Sequence, residues 1–135
     1  MRATTITRAT AELLERGLRT CPTVRDELAA IRELEERLAD PDVALLLSPH
    51  GFLIAELNRS AFVGACVVIH FYAELAGELA ELLRECMAFA HAGDVWRFQG
   101  VDINGLSESA YRRLLRGVRL RIVPVGMLYE SAEAA

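Results

Sequence analysis

The sequence predicts an α-dominant α+β domain: a helical bundle around a long central apolar helix over about residues 60–92, with a small C-terminal two-stranded element. Three observations carry this. The stretch from Ser60 to His91, SAFVGACVVIHFYAELAGELAELLRECMAFAH, holds no proline and is densely apolar, which reads as a buried helix. Its polar positions His70, Glu74, Glu78, Glu81 and Glu85 recur every three or four residues, the spacing of one helix face. Beyond Gly93 the pattern changes: Val95 to Phe98 alternate apolar and polar residues, the period of a strand.

The other elements follow in chain order. Residues 1–20 read as a first helix, with Leu13, Leu14 and Leu18 as its apolar stripe and Thr20-Cys21-Pro22 as its stop. The second helix starts at Thr23 as N-cap, with Asp26 completing an acidic capping box. Val24, Leu28, Ile31, Leu34 and Leu38 share its inner face, and Asp40-Pro41 ends it. Pro41 to Leu47 and Pro49 to Asn58 read as two short helices, each opened by a cap residue followed by proline. Ser60 caps the central helix and Gly93 closes it. A strand over Val95–Ile103 bulges at Gly100, Asn104-Gly105 turns, and Ser107 caps a helix running to about Arg116. Arg119 to Val125 alternate as a second strand, placed at an edge by Pro124. The whole is read as a single domain over 1–135 with a frayed tail at 129–135.

Composition narrows the function classes. The apolar fraction is 53%, enough for a core and against disorder. The net charge of -4 gives no global field for a polyanion, so nucleic-acid binding gains nothing from bulk charge. All 15 basic residues are arginine, which fits the codon bias of a GC-rich genome, with selection against lysine as the alternative. Cys21, Cys66 and Cys86 show no paired spacing and read as free thiols in a reducing compartment. The N-terminal segment has no apolar leader, and the apolar run from Ala61 to Ala73 falls short of the roughly 20 residues that span a bilayer. The expected setting is cytoplasmic, with no membrane partner.

Candidate chemistry centres on the middle stretch. Cys66, His70 and Glu74 stand at i, i+4 and i+8, which on a helix stacks three metal-ligand types on one face. A thiol in such apolar surroundings is inert, so cysteine catalysis is not expected. His50, in Ser48-Pro49-His50-Gly51, lacks a sequence-adjacent nucleophile or carboxylate and reads as part of a capped turn. Arg112, Arg113, Arg116, Arg119 and Arg121 form the local basic cluster, a candidate surface for an acidic partner or nucleic acid.

Two resemblances accompany these patterns. Arg84 and His91 bracket six residues, a spacing that resembles the Arg-x4–6-His element of HEPN-type ribonucleases and would imply a small helical dimer. Glu56-Leu57, Arg59 and Gly64, with the apolar run after them, resemble the start of the central helix in Bcl-2-like proteins and would imply an all-helical regulator. Residue patterns single out no activity. The reading is a non-enzymatic protein-interaction domain, an adaptor, inhibitor or assembly subunit, acting as a homodimer or with a protein partner and without a cofactor. The alternatives are a metal- or small-molecule-binding helical protein, a ribonuclease, or a nucleic-acid binder through the arginine cluster.

Overall fold

A computed structural model describes residues 1–59, 64–100, 108–122 and 128–131. The architecture is a twisted sheet covered on both faces. The elements in order are β1 (Arg2–Ala3), α1 (Arg8–Arg19), α2 (Glu27–Arg37), β2 (Val43–Ser48), β3 (Gly51–Asn58), β4 (Ala65–Ala73), α3 (Ala76–Ala92), β5 (Arg97–Gly100), α4 (Glu108–Gly117), β6 (Leu120–Ile122) and β7 (Leu128–Ser131). The seven strands lie in the order β1-β2-β3-β4-β5-β7-β6. Every described pairing is antiparallel except β4 with β5, which run parallel. α3 makes the crossover that a parallel pair requires.

The helical bundle expected from the sequence is therefore wrong, and so is the central helix over 60–92. From residue 64 on, that stretch holds a strand, a short connection at Glu74-Leu75 and then a helix. Val67, Val68, Ile69, Phe71 and Tyr72 are β-branched or aromatic and suit a pleated surface. The two short helices expected at 41–47 and 49–58 are β2 and β3, joined tightly through Pro49-His50. These strands are misread for one reason. Their sheet is covered on both faces, so they carry continuous apolar runs in place of alternation.

The alternation appears once burial is known. Val43 and Leu45 on β2, with Phe52 and Ile54 on β3, pack against Leu13, Leu14 and Leu18 of α1 and Ile31 and Leu34 of α2. Ala44 and Leu46, with Leu53, Ala55 and Leu57, turn to the opposite layer. There they meet Leu82, Leu83, Cys86 and Met87 of α3 and Leu115 near the end of α4. The apolar surplus of the sequence thus fills two layers. The exposed large hydrophobics are Met1, Leu28 and Leu75 among the described residues.

Smaller corrections follow. The first helix begins at Arg8, because Thr7 accepts the Thr10 amide at 3.2 Å, and β1 precedes it. The second begins at Glu27, because Asp26, not Thr23, caps it through the Ala29 amide at 3.0 Å. Leu28, expected inward, is exposed. The strand expected from Val95 is described over Arg97–Gly100, and the helix expected to end near Arg116 is α4. The separate two-stranded element is instead the edge of the main sheet, where β7 lies between β5 and β6. Residues 129–131, expected to fray, belong to β7. Gly100, expected to bulge, is the last residue of β5 and pairs in register with Val68. The Ser60 cap, the Asn104-Gly105 turn, the Ser107 cap and Pro124 lie outside the described residues. No helix of the described residues is long and apolar enough to cross a membrane.

Candidate functional site

Parallel strands in an open sheet place ligands beyond their carboxyl ends, where neighbouring strands part. Here β4 and β5 pair at Cys66↔Phe98, Val67↔Gln99 and Val68↔Gly100. On the other side of β4, Ile54 faces His70 and Ala55 faces Val68, so Ile69 is an extra residue in the ladder. Such a bulge bends its strand and re-aims side chains. Ile69 and His70 both turn toward α1 and α2, while Phe71 returns to the α3 layer. Together with Leu18, Leu34 and Ile54 they line a small cavity of about 140 Å³, with Glu33 and Arg37 of α2 also in its wall. Arg37 is paired with Glu56 of β3.

The N-terminus of α3 opens at the same end of β4. Its cap residue, Leu75, offers no side-chain cap bond. Glu78, in the first turn, is buried and reaches back to the β2–β3 turn. Its Oε1 accepts the His50 amide at 2.8 Å, and its Oε2 lies 3.2 Å from His50 Nδ1. Beside it Glu74 accepts a hydrogen bond from Arg16 Nε at 3.3 Å. Burial, then the Glu74 carboxylate, raise the Tyr72 phenol above its ordinary value.

Burial alone would push the Glu78 carboxyl upward. The His50 amide, the Ser48 hydroxyl and the imidazole outweigh it and hold the carboxyl below its ordinary value. A carboxyl lowered by folding adds stability that is fully present above its unfolded value, roughly 4.3, and is lost as pH falls through the folded one. Urea midpoints of the native chain are expected to drop more steeply on the acid limb than those of Glu78→Gln. Equal acid limbs would show that this carboxyl does not contribute.

The residues singled out in the sequence are dispersed. Cys66 faces the α3 layer, with its Sγ 3.8 Å from Cys86 Sγ, whereas His70 faces α2 and Glu74 lies in the β4–α3 connection. The helical spacing that stacked these three does not exist in a strand. Contact with Cys66, then burial, pushes the Cys86 thiol well up, which lowers its thiolate fraction. Among the described residues, no group of three His, Cys, Asp or Glu side chains could hold a metal ion. Arg112, Arg113 and Arg116 are exposed on α4, Arg119 follows its end, and Arg121 lies on β6. Arg84 and His91 come together with Arg119 along one groove, but the all-helical frames implied by both resemblances are absent. The His50–Glu78 pair was hidden from sequence reasoning because its members stand 28 residues apart and meet only through the sheet.

No family model and no curated protein matches the chain. Solved structures do. A crystal structure of a probable acetyltransferase superposes with a TM-score of 0.68 at 12% identity, covering 91% of this chain and 89% of that one. TTHA1254 from Thermus thermophilus superposes with a TM-score of 0.57 at 20% identity, covering 86% of this chain and 88% of that one, and a point mutant of it with 0.58. At these identities the likeness is one of fold: the chain has an acetyltransferase-like α+β fold, not that of a helical bundle.

Proposed function

We propose that this chain is a non-enzymatic interaction domain on an acetyltransferase-like fold, an adaptor, inhibitor or assembly subunit and not a transferase. The fold is that of a probable acetyltransferase, and the common carrier of activated acetyl groups is coenzyme A, which bears a diphosphate. In a sheet of this kind a diphosphate sits at the N-terminus of the helix that follows the switch-point strand, here α3. The residues at that position do not fit one. The buried Glu78 carboxylate already lies in the first turn of α3, and Glu74 precedes it. Arg16, which reaches this end, is held by Glu74. No Arg or Lys occurs in the sequence between Arg59 and Arg84. Gly77 has open space around it and forms no close-fitting cradle. The two carboxylates at the start of α3 are the single observation that carries the reading.

Calorimetric titration of the full chain with acetyl-coenzyme A tests it. No micromolar binding, and no acetyl transfer to a panel of amines at millimolar donor, is the expected result. Micromolar binding with turnover would overturn it. A second reading, acyl transfer to an amine, is favoured by the His50–Glu78 pair, since the carboxylate would orient the half-exposed imidazole as a proton acceptor. In that case His50→Ala would lower turnover by about 10²–10⁴-fold.

A further inference from the structure

Glu74 is paired with Arg16, Glu78 with His50 and Glu85 with the Met1 amine. Arg84, Arg113, Arg116 and Arg119 make no ion pair among the described residues. Residues 109–121 carry five arginines and no acid, in a chain of net charge -4. This end lies away from the His50–Glu78 pair, at the C-terminal ends of α3 and α4.

A groove of about 400 Å³ runs between those helix ends. Its cations are Arg84 and Arg119, and Met87, Ala88 and Val118 supply apolar lining. His91 also lines it and stacks on Trp96, with ring centroids 3.9 Å apart. The negative helix ends account for His91 and Arg116, which stand in the last turns of α3 and α4. They do not account for Arg84, which lies mid-helix.

Arg119 has a φ of 63°, a conformation that favours glycine. Gly117, two residues earlier, lies within the helix with open space where a side chain would go. Glycine therefore stands where alanine would serve, and arginine where glycine would. Backbone preference does not select Arg119, whereas a guanidinium at the groove does.

We propose that this groove binds a phosphate ester of nucleotide size, with Arg84 and Arg119 on the phosphate. Guanidinium groups give phosphate a paired, planar set of donors. The apolar lining and the His91 ring accept the body of the ligand, and the volume lies in the range of small-molecule sites. The proposal holds whether or not the fold transfers acyl groups.

Titration of the full chain with adenosine monophosphate, at low salt and followed by NMR, tests it. Binding is expected, and Arg84→Gln and Arg119→Gly are each expected to weaken it by about tenfold or more. Arg119→Gly also relieves the positive φ, so it is expected to melt no lower than the native chain. Loss of binding would then not come from loss of fold. Absence of binding at several millimolar overturns the proposal, as does equal affinity for adenosine, or binding that both variants retain. A single-stranded oligonucleotide that adenosine monophosphate fails to displace overturns it in favour of a polyanion surface along α4.

Discussion

Gly17→Val is expected to destabilise the fold by about 3 kcal/mol or more, and Gly17→Ala by less, although either residue is a better helix former than glycine. A Cβ at Gly17 would lie 2.3 Å from Phe52 Cε1, 2.6 Å from Phe52 Cζ and 2.8 Å from Tyr72 Cδ2. The Phe52 ring is fully buried and tilts against Tyr72 at 5.7 Å, so it cannot swing into solvent. α1 lies this close to β3 and β4 only because it presents bare backbone there. Trimming the ring should make room: Phe52→Leu is expected to cost less in the Gly17→Ala background than alone. Urea midpoints of the four variants give the coupling, expected at about 0.5–3 kcal/mol. Costs that add would show that α1 can shift to relieve the clash.

Phe71→Ala is expected to cost about 3–5 kcal/mol, against a total stability of roughly 5–15 kcal/mol for domains of this kind. The side chain is fully buried in the α3 layer, on the bulged strand that forms the middle of the sheet. Leu75→Ala is expected to change stability by about 0.5 kcal/mol or less, since Leu75 is 53% exposed. A continuous helix through this stretch would put residues 71 and 75 on one face and make the two costs alike. Chemical denaturation of both variants therefore tests the break between β4 and α3.

What was legible in the sequence depended on where water touches each element. α2 has one wet face, and Ile31 and Leu34 declared its inner side. α1 is similar, with Leu13, Leu14 and Leu18 inward. β2, β3 and β4 have little wet surface, so their side chains carry almost no polar rhythm, and length and proline caps misled. Four-residue spacing from His70 through Glu74 to Glu78 mimicked a helix, although the first lies on a strand, the second in a connection and the third in a helix. The pairing of Glu78 with His50 is a property of topology, and no local pattern encodes it. The arginines were legible as a cluster; the groove that joins Arg119 to Arg84 and His91 was not.

The strand order also sets a sequence of events in time. β2, β3 and β4 are neighbours in both chain and sheet, so their hairpins close short loops, on the microsecond scale typical of such steps. The parallel seam of β4 with β5 cannot close until α3 has been laid across it, and β1 must return over some forty residues to reach β2. The meander that carries the bulge at Ile69 is thus the natural nucleus. Damage within it is expected to slow folding, whereas damage to β5 or α4 is expected mainly to hasten unfolding, a split that stopped-flow refolding and unfolding rates of such variants measure.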